Sequence, residues 1–103
     1  MLYTILCTDR AGVDERRAAT KATHLAYLDA HRDVLVLGGV TLSDDAGTKT
    51  GSLWIVNVST RAEVDRFVEN EPFVKGGIFE SVVVRRTNKG QWNPAAAEGA
   101  ESL

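Results

Sequence analysis

His24, in the stretch THLAYLDAH, and Glu71, in ENEPFVKGGIF, are the two side chains best suited to moving a proton together. An unperturbed imidazole titrates at about 6.5, so it both takes and gives a proton near neutrality. A carboxylate on the ring's other N–H fixes the tautomer and favours the imidazolium that forms on proton abstraction. Such a base suits an acidic C–H or O–H of an enol, phenol or lactone, with isomerisation or elimination to follow. Spacing alone does not join the two residues. On an ideal helix His24 lies about 40° from Leu28 and about 100° from Leu25. That places it beside Arg17, Thr20 and Lys21, at the edge of an apolar arc. Glu71 precedes Pro72, and a Glu-Pro pair at a helix end is also an ordinary stop signal. His31 reads as a helix C-terminal residue that favours the dipole.

The elements that must carry these residues follow from the pattern. Residues 2–8, LYTILCT, are rich in β-branched and aromatic side chains and read as a strand. From Val13 to His31 the pattern is helical, with Ala18, Ala22, Leu25 and Ala26 in one arc. Residues 34–42 and 52–58 read as strands joined by a polar hairpin loop. Thr60 and Glu63 match a capping box, followed by the apolar stripe Val64, Phe67 and Val68. Pro72 should stop that helix near Asn70. Residues 78–86 read as a fourth strand. Gly76-Gly77 read as a turn into it, and Gly38-Gly39 as either a pocket wall or a bulge.

The order β-α-β-β-α-β implies an α+β, ferredoxin-like sandwich with one four-stranded antiparallel sheet. Right-handed crossovers put both helices on one face of it. Yet the strands are apolar on both sides: Leu2 and Leu6 oppose Tyr3, Ile5 and Cys7, while Leu53 and Ile55 oppose Trp54, Val56 and Val58. Phe79 and Val83 are expected to oppose Ile78, Val82 and Val84. A sheet with one wetted face should alternate apolar and polar residues. A second copy of the same sheet is the simplest cover, giving a homodimer. The tail, with Trp92, is the other candidate. The expected organisation is one domain over residues 1–87 and a flexible C-terminal tail over 88–103.

Composition narrows the function. The chain has 103 residues, 44% hydrophobic and 25% charged, with a net charge of −2. No basic patch stands out, so neither a nucleic-acid nor a membrane-surface partner is expected. Arg16-Arg17 and Arg85-Arg86 read as solvated pairs. The single cysteine, Cys7, excludes an internal disulfide and reads as a small buried hydrophobe. The N-terminus lacks a secretory pattern, and no apolar run approaches the length of a membrane helix. A cytoplasmic protein is expected. There is no phosphate loop, CxxC or HExxH motif, and the histidines and cysteine do not cluster as zinc ligands do. No cofactor is expected.

The segments HLAYL, the strand-end GG and EPFVKGGIFESV together resemble the YciI-like (YCII-related) family, over residues 1 to 86. The resemblance implies a dimeric α+β barrel, two ferredoxin-like sheets packed face to face. Relatives in the wider superfamily include lactone isomerases, dehydrochlorinases and monooxygenases of aromatic substrates. In the family a histidine and an aspartate are the proposed catalytic pair. The histidine corresponds to His24. The aspartate of an Asp-Pro-aromatic motif corresponds to Glu71, one methylene longer. Val40 stands where the family often has proline, and Arg85-Arg86-Thr87 where it often has a Pro-Trp pair. The reading is a small-molecule enzyme with His24 and Glu71 catalytic, and with Gly38, Gly39, Tyr27, Trp54 and Phe73 around a small-molecule ligand in a dimer pocket. Two alternatives stand beside it: a non-catalytic metabolite-binding or accessory domain, and a cofactor-free monooxygenase with Trp54 or Tyr27 lining the pocket.

Overall fold

The computed structural model describes residues 1–102. The elements are β1 (Leu2–Asp9), α1 (Asp14–Ala30), β2 (Leu35–Leu42), β3 (Lys49–Asn57), α2 (Arg61–Asn70), α3 (Pro72–Lys75) and β4 (Phe79–Thr87). The four strands form one antiparallel sheet in the order β2-β3-β1-β4. This is the ferredoxin-like βαββαβ arrangement, with the single-turn α3 added between α2 and β4. Among the described residues no helix is long and apolar enough to cross a membrane.

β1 runs through the middle of the sheet, paired with β3 on one side and β4 on the other. Its inward side chains, Tyr3, Ile5 and Cys7, meet Trp54 and Val56 of β3 under the helices. α2 contributes Val64 and Phe67 to the same core. Its start is the capping box: the Thr60 hydroxyl accepts from the Glu63 N–H, and the Glu63 carboxylate accepts from the Ser59 N–H. Its end falls at Asn70, as Pro72 requires.

Two expectations about facing are corrected. Phe79 is buried in the core with Ile78, not opposed to it. The β1–β4 register shifts between Thr8 and Asp9, so Asp9 pairs with Phe79 and the alternation breaks there. On α1 the expected arc of Ala18, Ala22, Leu25 and Ala26 faces outward, and Leu25 is 49% exposed. Arg17 and His24 are the buried residues of α1, with Thr20, Tyr27 and Leu28 half-buried on the same side. Alanine methyls offer little area to bury, whereas the inward polar groups find partners on β1, β3 and α3.

The other face of the sheet has no helix over it. Leu6, Leu37 and Val83 are exposed there, with Leu2, Leu53 and Ile55 half-buried. The segment after β4 holds one 3-10 turn, Pro94–Ala97, and is exposed throughout residues 88–102. Trp92 borders a hollow of about 700 Å³ together with Met1, Leu2, Val36 and Arg86. The tail thus reaches the margin of the open face and leaves its centre bare.

Gly51 marks the tightest approach in the sheet. A Cβ there would sit 1.9 Å from the Cys7 carbonyl oxygen, which is backbone and cannot rotate away. Gly51→Ala is therefore expected to lower the thermal midpoint by about 10 °C or more. An unchanged midpoint would contradict this packing of β3 on β1.

Candidate active site

Glu71 lies between two helices and serves both. Its extended backbone ends α2, with its N–H on the Val68 carbonyl at 3.2 Å. It is also the N-cap of α3, whose first residue is Pro72, a position that needs no backbone donor. Glu71 Oε2 accepts from the N–H groups of Phe73 (2.9 Å) and Val74 (3.1 Å). Oε1 accepts from Nδ1 of His24. The carboxylate is 0% exposed, and these donors compensate its removal from water. The methylene that distinguishes Glu71 from an aspartate leaves it able to cap α3 and reach α1 together.

His24 is 8% exposed on the inward side of α1. Its ring stacks on Phe73 with centroids 3.9 Å apart and planes 8° from parallel. Trp54 lies behind, tilted, at 6.1 Å. A carboxylate oxygen at Nδ1 makes that nitrogen the donor, so in the neutral ring it is Nε2 that carries the lone pair. Among the described residues Nε2 has no hydrogen-bond partner. Every buried side-chain nitrogen and oxygen among the described residues has one, so the Nε2 edge reaches the surface.

The remaining expected site residues separate. Phe73 touches the dyad directly. Trp54 is wholly buried and forms the floor beneath it. Tyr27 is half-buried, and its hydroxyl donates to the Phe67 carbonyl at 2.8 Å. Gly38 and Gly39 pair regularly with Trp54 and Leu53, so neither is a bulge; the register of β2 shifts instead between Leu35 and Leu37. Gly38 lines a shallow hollow of about 400 Å³ with Leu25, Leu28 and Leu35. Gly39 has open space where a side chain would be. His31 caps α1, its ring donating to the Tyr27 carbonyl at 2.8 Å. Neither surface hollow reaches His24.

Arg17 corrects the reading of Arg16-Arg17 as a solvated pair. Arg16 is exposed, but Arg17 is 6% exposed. Its Nε and Nη2 donate to both oxygens of Asp9, at 2.7 and 3.2 Å. Nη2 also donates to the Gly51 carbonyl and the Ser52 hydroxyl. The guanidinium carbon lies 4.9 Å from the centre of the Phe73 ring. Phe73 thus contacts both Arg17 and His24. Arg17 and His24 are seven residues apart, two helical turns on one face. That spacing is the one signal in the sequence that links them.

The charges here reach neighbouring groups. Burial, then the negative charge of Glu71 and of Asp9, push the Cys7 thiol up to about 12 against the opposing effect of Arg17. Burial and Glu71 also raise the Tyr27 hydroxyl. Cys7 therefore stays a protonated, inert thiol. A disulfide reagent at pH 8.5 is expected to leave the native protein unlabelled and to label it stoichiometrically in denaturant. Rapid labelling of the folded protein would contradict the burial.

Comparison with known proteins agrees with this fold. Residues 1–88 match the model of the YCII-related domain. Protein YciI of Escherichia coli O6:H1 is 30% identical over 96 residues, covering 86% of this chain and 98% of that protein. Protein YciI of Shigella flexneri matches to the same extent. Among solved structures, 5-chloro-2-hydroxyhydroquinone dehydrochlorinase from Burkholderia phenoliruptrix AC1100, in complex with 2,5-dihydroxybenzoquinone, superposes with a TM-score of 0.80. It is 39% identical and covers 85% of this chain and 94% of that one. A βαββαβ sandwich with this sequence match over its whole folded part belongs to the YCII-related domain family.

Proposed function

We propose that this protein is a small-molecule enzyme in which His24 is the general acid–base and Glu71 its partner, acting on a hydroxylated ring of the hydroquinone type. The observation that carries the reading is the buried dyad. Nδ1 of His24 is committed to a carboxylate that is itself held by two backbone N–H groups. Only Nε2 is left to exchange a proton with a ligand. The substrate class is supported by the 39% identical dehydrochlorinase, whose structure holds a dihydroxybenzoquinone.

The chemistry needs one group that alternates between base and acid. Nε2 takes a proton from a ring hydroxyl, and the electrons move into the ring. The same proton is returned to the ring carbon that bears the leaving group, giving the keto tautomer. A second hydroxyl proton then leaves to Nε2 while the halide departs as an anion with its bonding pair. The ring becomes a quinone, and the net change is loss of one hydrogen halide. Glu71 stabilises the imidazolium formed in each proton abstraction and keeps the ring in one tautomer.

The monooxygenase alternative gains nothing from Trp54 and Tyr27, whose positions are taken up by the core and by the Phe67 carbonyl.

Although the sequence places His24 at the edge of an apolar arc, its ring is buried and stacked, so an alanine there would leave a void and Glu71 without a donor. His24→Gln is the better variant, since its amide still offers Glu71 a donor. In a turnover assay on halogenated hydroxyhydroquinones, followed by quinone absorbance, His24→Gln is expected to lose roughly 10²- to 10⁴-fold in kcat/KM. Glu71→Gln should lose less. A folded His24→Gln protein with full activity would overturn the acid–base assignment.

The same reading includes a homodimer through the open sheet face. Support comes from the exposed Leu6, Leu37 and Val83, an apolar surface that monomers rarely leave bare. Light scattering at micromolar concentration is expected to give about twice the chain mass of 11.2 kDa. A monomer mass would contradict it.

A further inference from the structure

We propose that Arg17 is a positioning residue for the dyad, acting on His24 through Phe73; this rests on the reading of His24 as the acid–base group. The hydrogen bond to Glu71 selects Nδ1 as the donor but tolerates a range of paired χ1 and χ2 angles for His24, over which the ring plane still varies. A second constraint is needed to set the ring plane, and with it the direction of Nε2. That constraint is the flat face of Phe73, 3.9 Å away and 8° from parallel. Phe73 is itself packed against the guanidinium, 4.9 Å from its centre.

Arg17 is fixed in turn. Four hydrogen bonds tie it to Asp9, the Gly51 carbonyl and the Ser52 hydroxyl. Gly51 lies where β3 approaches β1 too closely for any side chain, and its carbonyl accepts from Arg17 there. A rigid chain of contacts therefore runs from the sheet through Arg17 and Phe73 to the imidazole. Lysine would not replace arginine, because an ammonium has neither the fork for Asp9 nor a plane for Phe73. Supporting groups of this kind decide whether a catalytic side chain is held to the tolerance its chemistry needs.

The test is the nitrogen-15 spectrum of the two histidines in the full chain at pH 8, with His24 assigned from its glutamine variant. The wild type should show a single His24 tautomer with a slowly exchanging Nδ1 proton. In Arg17→Lys the nitrogen shifts are expected to move toward the average of the two tautomers. Proton exchange at Nδ1 should quicken by about tenfold or more. Where Arg17→Lys does not fold, the double variant Asp9→Asn/Arg17→Met leaves no buried charge unpaired and reads the same signature. With an active substrate in hand, the folded variant should lose roughly 10- to 100-fold in kcat with KM little changed. A lowered thermal midpoint with an unchanged His24 spectrum would make Arg17 a tether of α1 only and overturn the proposal. The spectrum does not depend on turnover, so an inactive wild type would count against the proposed function and not against this one.

Discussion

A carboxylate with no exposure to water is the constraint around which this molecule is arranged. Removing an ion from water costs several kcal/mol even after relaxation, and Glu71 offsets that cost with three donors. Two come from the start of α3 and the third from the middle of α1. The end of α2, the whole of α3 and the rotation of α1 are thereby tied to one side chain. α1 must turn its histidine inward, so its row of alanines and Leu25 turns outward.

An ion pair does the same two turns earlier on α1. Arg17 brings its charge under the helix and meets Asp9 at the end of β1. Arg17 and His24 both contact one aromatic ring, Phe73, which forms part of the hydrophobic core. α1 is therefore attached to the sheet largely by polar contacts of specific geometry. Such contacts hold a single orientation better than an interchangeable apolar stripe does, because an unpaired buried charge has no tolerable alternative.

The strands, the capping box, the stop at Asn70 and the turn at Gly76-Gly77 were legible because each is a local pattern. Alternation over seven residues, a threonine three before a glutamate, and a proline all act within their own neighbourhood. His24 and Glu71 were also singled out, by residue chemistry and by resemblance. What periodicity misread was the burial of α1. Counting apolar residues assumes that burial follows hydrophobicity. Here Arg17 and His24 are buried by partners elsewhere in the chain: Asp9, Ser52 and Glu71. Phe79 was misplaced for a related reason, since a register shift between Thr8 and Asp9 is a property of strand pairing. α3 is a single turn that exists because Glu71 caps it, and four residues carry too little periodicity to announce a helix.

The sheet separates two tasks. One face carries the dyad under the helices, and the other presents an apolar surface made by alternate residues of the same strands. The crystal structure of the protein with 2,5-dihydroxybenzoquinone would test the central claim most directly. The account predicts a ligand hydroxyl or carbonyl oxygen within about 3 Å of Nε2 of His24, with Nδ1 still on Glu71. A ligand seated instead in the hollow beside Met1, Val36 and Trp92, with Nε2 covered by another protein group, would contradict it.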